Sequence, residues 1–201
     1  EEAIRASSQV LAVRGRVLPS TLSPIVLGAE YADGTTATGE SLIPKSQKVI
    51  HRVFVEPENC SPVPEAVSAI ENADLIILGP GSLYTSVLPN LLVHGIRQAI
   101  VASPAPKIYI CNVMTQRGET EGYTACQHIQ AIYDHCGKGL IDYVIVNNVP
   151  IPKHLLDKYL QEGAVPVEAD LENIRALGIV PIPADVISMT NLVRHDPEKL
   201  T

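Results

Sequence analysis

The sequence contains no tryptophan and a single phenylalanine, so aromatic residues make up only 4% of its 201 positions. A core must therefore be built from Val, Ile, Leu and Ala, and stacking platforms for single-stranded nucleic acid fall to seven tyrosines. No stretch approaches the ~18 uninterrupted apolar residues of a membrane-spanning helix. Nor does the start show the basic, apolar, small-residue order of a signal peptide. The four cysteines, Cys60, Cys111, Cys126 and Cys136, are widely spaced and form no CxxC pair. That pattern fits reduced thiols buried in a cytoplasmic α/β protein better than a disulfide framework. Positive charge is also in short supply: 15 Lys and Arg against 22 Asp and Glu leave a net charge of −7. The balance argues against a dedicated nucleic-acid or anionic-membrane surface and leaves room only for a local basic pocket. What is present is apolar material, 46% of residues against 18% charged, which supports a sizeable core and excludes a disordered or collagen-like chain.

Residues 1–15 carry apolar positions at Ile4, Val10, Leu11 and Val13 and read as a helix belonging to the core. Residues 16–57 have β character: Ile25 to Tyr31, an Asp33-Gly34 hairpin signal, a returning Thr35 to Gly39, and the alternating run Lys48 to Val55. They predict a small antiparallel subdomain or insertion. Residues 58–201 then alternate helix and strand. Helices are predicted over 65–73, 91–102, 122–136, 154–161 and 171–177. Buried strands are predicted at Asp74 to Leu78, Lys107 to Asn112 and Asp142 to Asn147, with two short ones at Val165 to Glu168 and Ile179 to Ile182. The predicted fold is α/β: a Rossmann-like, mainly parallel sheet with helices on both faces and a small antiparallel β excursion.

Ligands of such sheets bind at the carboxyl ends of the strands, and three of those ends are rich in polar groups. After DLIIL comes GPGSLYTS, in which Gly79 and Gly81 make a tight turn. Backbone N–H groups there, the side chains of Ser82, Tyr84 and Thr85, and the positive end of the following helix point to a phosphate or sugar loop. An ordinary Ser/Thr-capped strand-to-helix turn is the alternative. After KIYICN, the side chains of Asn112, Thr115 and Gln116 suit a base, a ribose or sugar hydroxyls, and Arg117 suits a phosphate; a solvated Arg117 and a Thr120 helix cap are the alternative. Asn147 and Asn148 follow the third strand and serve equally well to hold a turn. Near the end, Arg194 in LVRHDP either clasps a phosphate or pairs with Asp196.

No nucleophile elbow, metalloprotease helix, dinucleotide fingerprint or Walker lysine occurs, so no catalytic residue is assigned. Cys111 reads as a small buried hydrophobe, and His51, His94 and His154 as structural or surface residues. Cys126, His128, His135 and Cys136 lack the spacing of zinc knuckles and read as helix residues, so no metal ligand is assigned either.

The segments LGPGSLYTSVLPNLLVHGIRQAI, KIYICNVMTQRGETEGYTACQHI, LIDYVIVNN and LVRHDPEKL resemble the gluconeogenesis factor family, itself similar in fold to the 2-phospho-L-lactate transferases. The resemblance runs from EEAIRASSQVLAVRGRVLPSTL to the last residues. It implies a cytoplasmic bacterial protein that binds a nucleotide sugar of the UDP-N-acetylglucosamine type, supports gluconeogenic growth and normal cell morphology, and needs no further cofactor. Tyr159 and Arg194 occupy the family's ligand-contacting positions. The implied partner is the nucleotide sugar, with no nucleic acid and no membrane insertion; self-association into a homo-oligomer stays open. A regulatory threonine found after the RHD triplet in some members is replaced here by Pro197. Members also carry a GGGTG loop and an Asp-Asp-Gly-Gly-Ser segment that these residues lack. The chain thus resembles the C-terminal two-thirds of a member, and the resemblance implies that it binds a nucleotide sugar weakly or not at all by itself. A transferase of deazaflavin coenzyme biosynthesis is the second reading, although such enzymes tend to carry a Ser-Asn-Pro turn where this chain has Gly81-Ser82-Leu83-Tyr84.

Overall fold

A computed structural model describes residues 15–189 and 193–200, so the helix expected over the first residues lies outside the described part. The first β excursion forms as its hairpin signal requires. Strand β1 (Val26–Tyr31) pairs antiparallel with β2 (Thr36–Thr38) on one side and β3 (Ile50–Glu56) on the other. Asp33 sits in the turn, where its carboxylate accepts from the Thr35 amide (3.0 Å) and faces Lys48 at 2.8 Å.

Helix α1 (Pro64–Glu71) starts on its proline, whose missing N–H costs nothing at a first turn. Strands β4 (Ile76–Leu78), β5 (Lys107–Ile110), β6 (Tyr143–Asn147) and β7 (Val180–Ala184) form one parallel sheet in the order 4-5-6-7. Between them run α2 (Leu88–Leu92), α3 (His94–Ala102), α4 (Ala125–Cys136), α5 (Lys153–Gln161) and α6 (Leu171–Ala176), so the mixed α/β reading stands. The expected strand at 165–168 is instead an irregular segment. It lies across the loop after β5, joined by a bridge between Met114 and Pro166. Its backbone groups are taken by that loop instead: the Thr115 amide donates to the Val165 carbonyl (2.8 Å) and the Val167 amide to the Val113 carbonyl (2.9 Å). A further hairpin, β8 (Ile187–Met189) with β9 (Val193–His195), was not legible in the charged LVRHDP segment.

The antiparallel and parallel sheets share one apolar cluster, which includes Tyr31 and Val53 from the first, Ile43 from the connection between β2 and β3, and Tyr109 and Val144 from the second. A smaller cluster of Val113, Met114, Leu155, Ala164, Ile187 and Val193 lies under the strand ends and supports the site described below. Across the parallel sheet, Ile77, Ile108, Tyr143 and Val180 lie in register. Ile77 and Val180 remain 51% and 53% exposed, so DLIIL, expected to be covered on both faces, is half open at Ile77. No helix among the described residues is long and apolar enough to cross a membrane.

Helix α4 begins three residues later than the periodicity predicts, because Thr124 and Gln127 form a reciprocal capping box. Its histidines bond to the backbone. His128 Nδ1 lies 2.8 Å from the Thr124 carbonyl. His135 donates from Nδ1 to the Ala131 carbonyl (2.7 Å) and accepts the Val53 amide on Nε2 (2.9 Å). That pair of bonds needs a neutral ring. Burial lowers the pKa of His128, His135 and His195 below the ordinary imidazole value. Since the unfolded chain titrates near ~6.5, it takes up more protons than the native state just below that pH. The stability supplied by the neutral rings is thus complete above ~6.5 and is lost as the pH falls through the window beneath it. Urea unfolding followed by circular dichroism gives a lower midpoint at pH 5.5 than at pH 7.5; equal midpoints refute this.

Candidate functional site

The carboxyl ends of β4 and β5 and the β9 hairpin enclose a polar cleft of about 720 Å³. Gly81 and Ser82 line it from the first loop, and Asn112, Thr115, Gln116 and Arg117 from the second. Tyr159, Arg194 and His195 close the far side. Seven of the ten sequence-selected residues therefore meet at one site. Gly79 turns the chain just behind it, and Thr85 opens on an adjoining lobe. Tyr84 is the exception: its side chain is 2% exposed, and its hydroxyl lies 2.8 Å from that of Tyr123, inside the core.

The two loops are bolted together. Gln116 donates from Nε2 to the Ser82 hydroxyl (2.8 Å) and accepts on Oε1 from the Asn112 amide (3.2 Å). Asn112 Oδ1 has no hydrogen-bond partner. Thr115 exchanges bonds with Val165, its amide donating at 2.8 Å and its hydroxyl accepting at 3.0 Å. Thr120 does not cap α4; it is fully buried, and its hydroxyl accepts from the Gln116 amide at 3.0 Å. Gly118 turns the loop at φ +75°, seated so tightly that a Cβ there would lie 2.0 Å from the Pro44 carbonyl oxygen.

Sequence reasoning passed over Glu119, which is 8% exposed. It accepts from the Tyr84 amide (3.2 Å) and from the Thr85 hydroxyl (2.9 Å). Burial raises its pKa above the ordinary carboxylate value, against these bonds. The GPGSLYTS turn was expected to turn its donors and a helical positive end to an anion. Instead the chain enters a five-residue π-helical turn (Leu83–Val87), and the Tyr84 and Thr85 donors are taken by the protein's own carboxylate. A carboxylate partner 35 residues away carries no local sequence signal.

Positive charge lies on the other side. Arg194 is exposed and makes no ion pair with any described residue, so the Asp196 pairing does not form. Arg117 bonds Gln47 (2.7 Å) and stands 4.0 Å from Glu121. Tyr159 works through its neighbour: its hydroxyl donates to the Val193 carbonyl (3.1 Å) and accepts the Val193 amide (3.0 Å), fixing the strand that bears Arg194. Tyr159→Phe leaves both backbone groups unpaired and costs about 1–2 kcal/mol of stability, measured by urea unfolding. A loss below about 0.5 kcal/mol contradicts that role. Asn147 donates to the Val149 carbonyl (2.8 Å) and holds its turn. Cys111 is 1% exposed and its thiol is pushed far up by burial, which removes it as a nucleophile. His195 lies 3.1 Å, through Nε2, from the Cys111 carbonyl. Among the described residues, no cluster of three His, Cys, Asp or Glu is arranged to hold a metal ion.

Fold and cleft together define an α/β protein with a polar, cation-bearing site at the carboxyl edge of a parallel sheet. A family model described as 2-phospho-L-lactate transferase CofD matches residues 1–187, and the chain belongs to that family. It is 51% identical over 199 residues to a gluconeogenesis factor of Halalkalibacterium halodurans, covering 98% of this chain and 62% of that protein. It is 48% identical to the gluconeogenesis factor of Bacillus subtilis, over 98% of this chain and 63% of that one. A crystal structure of a UPF0052 family protein from Bacillus halodurans superposes with a TM-score of 0.95 at 50% identity, covering 99% of this chain and 65% of that one. The chain thus spans a little under two thirds of these relatives.

Proposed function

We propose that this chain forms the nucleotide-sugar side of a cytoplasmic regulatory protein that supports gluconeogenic growth and cell-wall morphology. Its ligand is of the UDP-N-acetylglucosamine type. The observation that carries this reading is Arg194: an exposed guanidinium without an ion-pair partner among the described residues, held by the Tyr159 clasp over a cleft of amides and hydroxyls. A planar fork of donors suits a diphosphate. Ser82, Asn112 and Gln116 suit the hydroxyls and base edge of a nucleotide. The names of the gluconeogenesis-factor relatives support the gluconeogenic part of the reading. An acidic surface and the absence of a membrane-crossing helix among the described residues agree with a small-molecule partner rather than nucleic acid or lipid.

The second reading, transfer of a phospholactyl-type group from an activated nucleotide to a deazaflavin precursor, draws on the name of the matching family. The same cleft serves either ligand. The test is calorimetric titration of UDP-N-acetylglucosamine into this chain and into the protein extended to the length of its relatives. Saturable binding by the longer protein, weaker in the chain alone, is expected. No heat from either at millimolar ligand overturns the reading, and formation of phospholactyl product from the transferase substrates replaces it with the second.

A further inference from the structure

The cleft has a second lobe of about 610 Å³, which shares Ser82, Gln116 and Arg117 with the first and is otherwise lined by Glu40, Ser41, Pro44, Thr85 and Glu119. The two lobes differ in charge. The first bears Arg194 and the imidazole of His195, with Glu162 as its acidic member, whereas the second has the carboxylates of Glu119 and Glu40 at its wall and rim; Arg117 borders both. Glu119 is nine-tenths buried there. Its oxygens accept from the Tyr84 amide and the Thr85 hydroxyl, and the Thr85 amide also faces the carboxylate, which still leaves acceptor capacity among its roughly four lone-pair sites. Two carboxylates, Glu119 and Glu40, against one shared guanidinium, Arg117, make this lobe the less favourable place for a phosphate. A group bearing several uncharged O–H donors meets acceptors from Glu119 and hydroxyls from Thr85 and Ser41.

We propose that the second lobe is a hydroxyl-recognition subsite: it receives the sugar of a nucleotide-sugar ligand, with Glu119 as its specificity-determining acceptor, while the phosphates lie in the first lobe toward Arg194. The inference rests on the nucleotide-sugar reading above and deepens it by orienting the ligand. Donors from the sugar hydroxyls satisfy a carboxylate that burial has already stripped of water, a pairing that a carboxylate favours and a phosphate cannot make.

The experiment compares UDP with UDP-N-acetylglucosamine by calorimetry, using the protein at the length of its relatives. Wild-type protein binds the sugar nucleotide at least tenfold more tightly than UDP. Glu119→Gln, which keeps the shape and one acceptor oxygen, lowers affinity for the sugar nucleotide about tenfold and for UDP less than twofold. Ser41→Trp alters an exposed rim residue, blocks the lobe without touching Glu119, and brings the sugar nucleotide down to the affinity of UDP. Circular dichroism checks that each variant folds. If Glu119→Gln does not fold, the Ser41→Trp result decides alone. Equal losses for both ligands in Glu119→Gln make the residue a loop fastener only and overturn the proposal. Wild-type protein that binds both ligands equally overturns it while leaving the nucleotide reading intact. Binding of neither ligand defeats both.

Discussion

Gly118→Ala lowers the free energy of unfolding by about 3 kcal/mol and abolishes ligand binding at concentrations that saturate the wild type. Two costs add. A side chain at φ +75° sits in the left-handed region, about 1–2 kcal/mol against an L-residue. The new Cβ would also lie 2.0 Å from the Pro44 carbonyl oxygen and 2.9 Å from its carbon. These are backbone atoms of the turn Pro44–Ser46 and cannot rotate aside as a side chain would, so displacement costs about 1–3 kcal/mol more. The loop must lift from that turn and carry Gln116 and Arg117 with it, which separates them from Ser82 and Gln47. Gly122→Ala is the control: its φ is +72°, but nothing lies within 4 Å of the added carbon, so it loses only about 1 kcal/mol. Urea denaturation followed by circular dichroism reads both, and equal losses in the two variants contradict the clash.

Arg194→Ala weakens UDP-N-acetylglucosamine binding about 30-fold while leaving the urea midpoint within error of wild type. A charge-assisted bond to a phosphate contributes about 2 kcal/mol, which is this factor. The midpoint stays put because the guanidinium is exposed and pairs with no described residue, so its loss leaves no buried group unsatisfied. Arg194→Lys restores only part of the affinity, since an ammonium lacks the planar fork that matches two phosphate oxygens. The wild-type affinity also falls with added salt more steeply than that of the alanine variant. A change below threefold in Arg194→Ala removes the diphosphate from this side of the cleft. It then also removes the orientation proposed for the second lobe. Tyr159→Phe separates the effects: it loses stability and affinity together, because its hydroxyl holds the backbone of Val193 rather than the ligand.

The elements that could be read in the chain were those whose signals are local. Asp33-Gly34 marks a hairpin because its turn chemistry is complete within a few residues. DLIIL, KIYIC and DYVIVN mark sheet strands because continuous apolar runs are what a packed parallel sheet demands. Even there the pattern overstated burial, for Ile77 is half exposed on an edge strand. At Val165 to Glu168 the β-branched residues suggested a strand, while the backbone of that segment bonds across the loop after β5, to Thr115 and Val113.

The sequence by itself determined the α/β alternation, the strand-end loops and the polar residue types that gather in the cleft. Those properties follow from hydrophobic period, turn chemistry and the rule that ligands lie at strand carboxyl ends. Only the tertiary structure decided which donors stay free. Tyr84 went into the core against Tyr123, the Tyr84 amide and Thr85 hydroxyl went to Glu119, and the Tyr159 hydroxyl went to Val193. Each partner lies 34 to 39 residues away. Hydrogen-bond satisfaction of buried groups is settled between such distant segments as they pack, so it leaves no periodicity or spacing to be read in the chain.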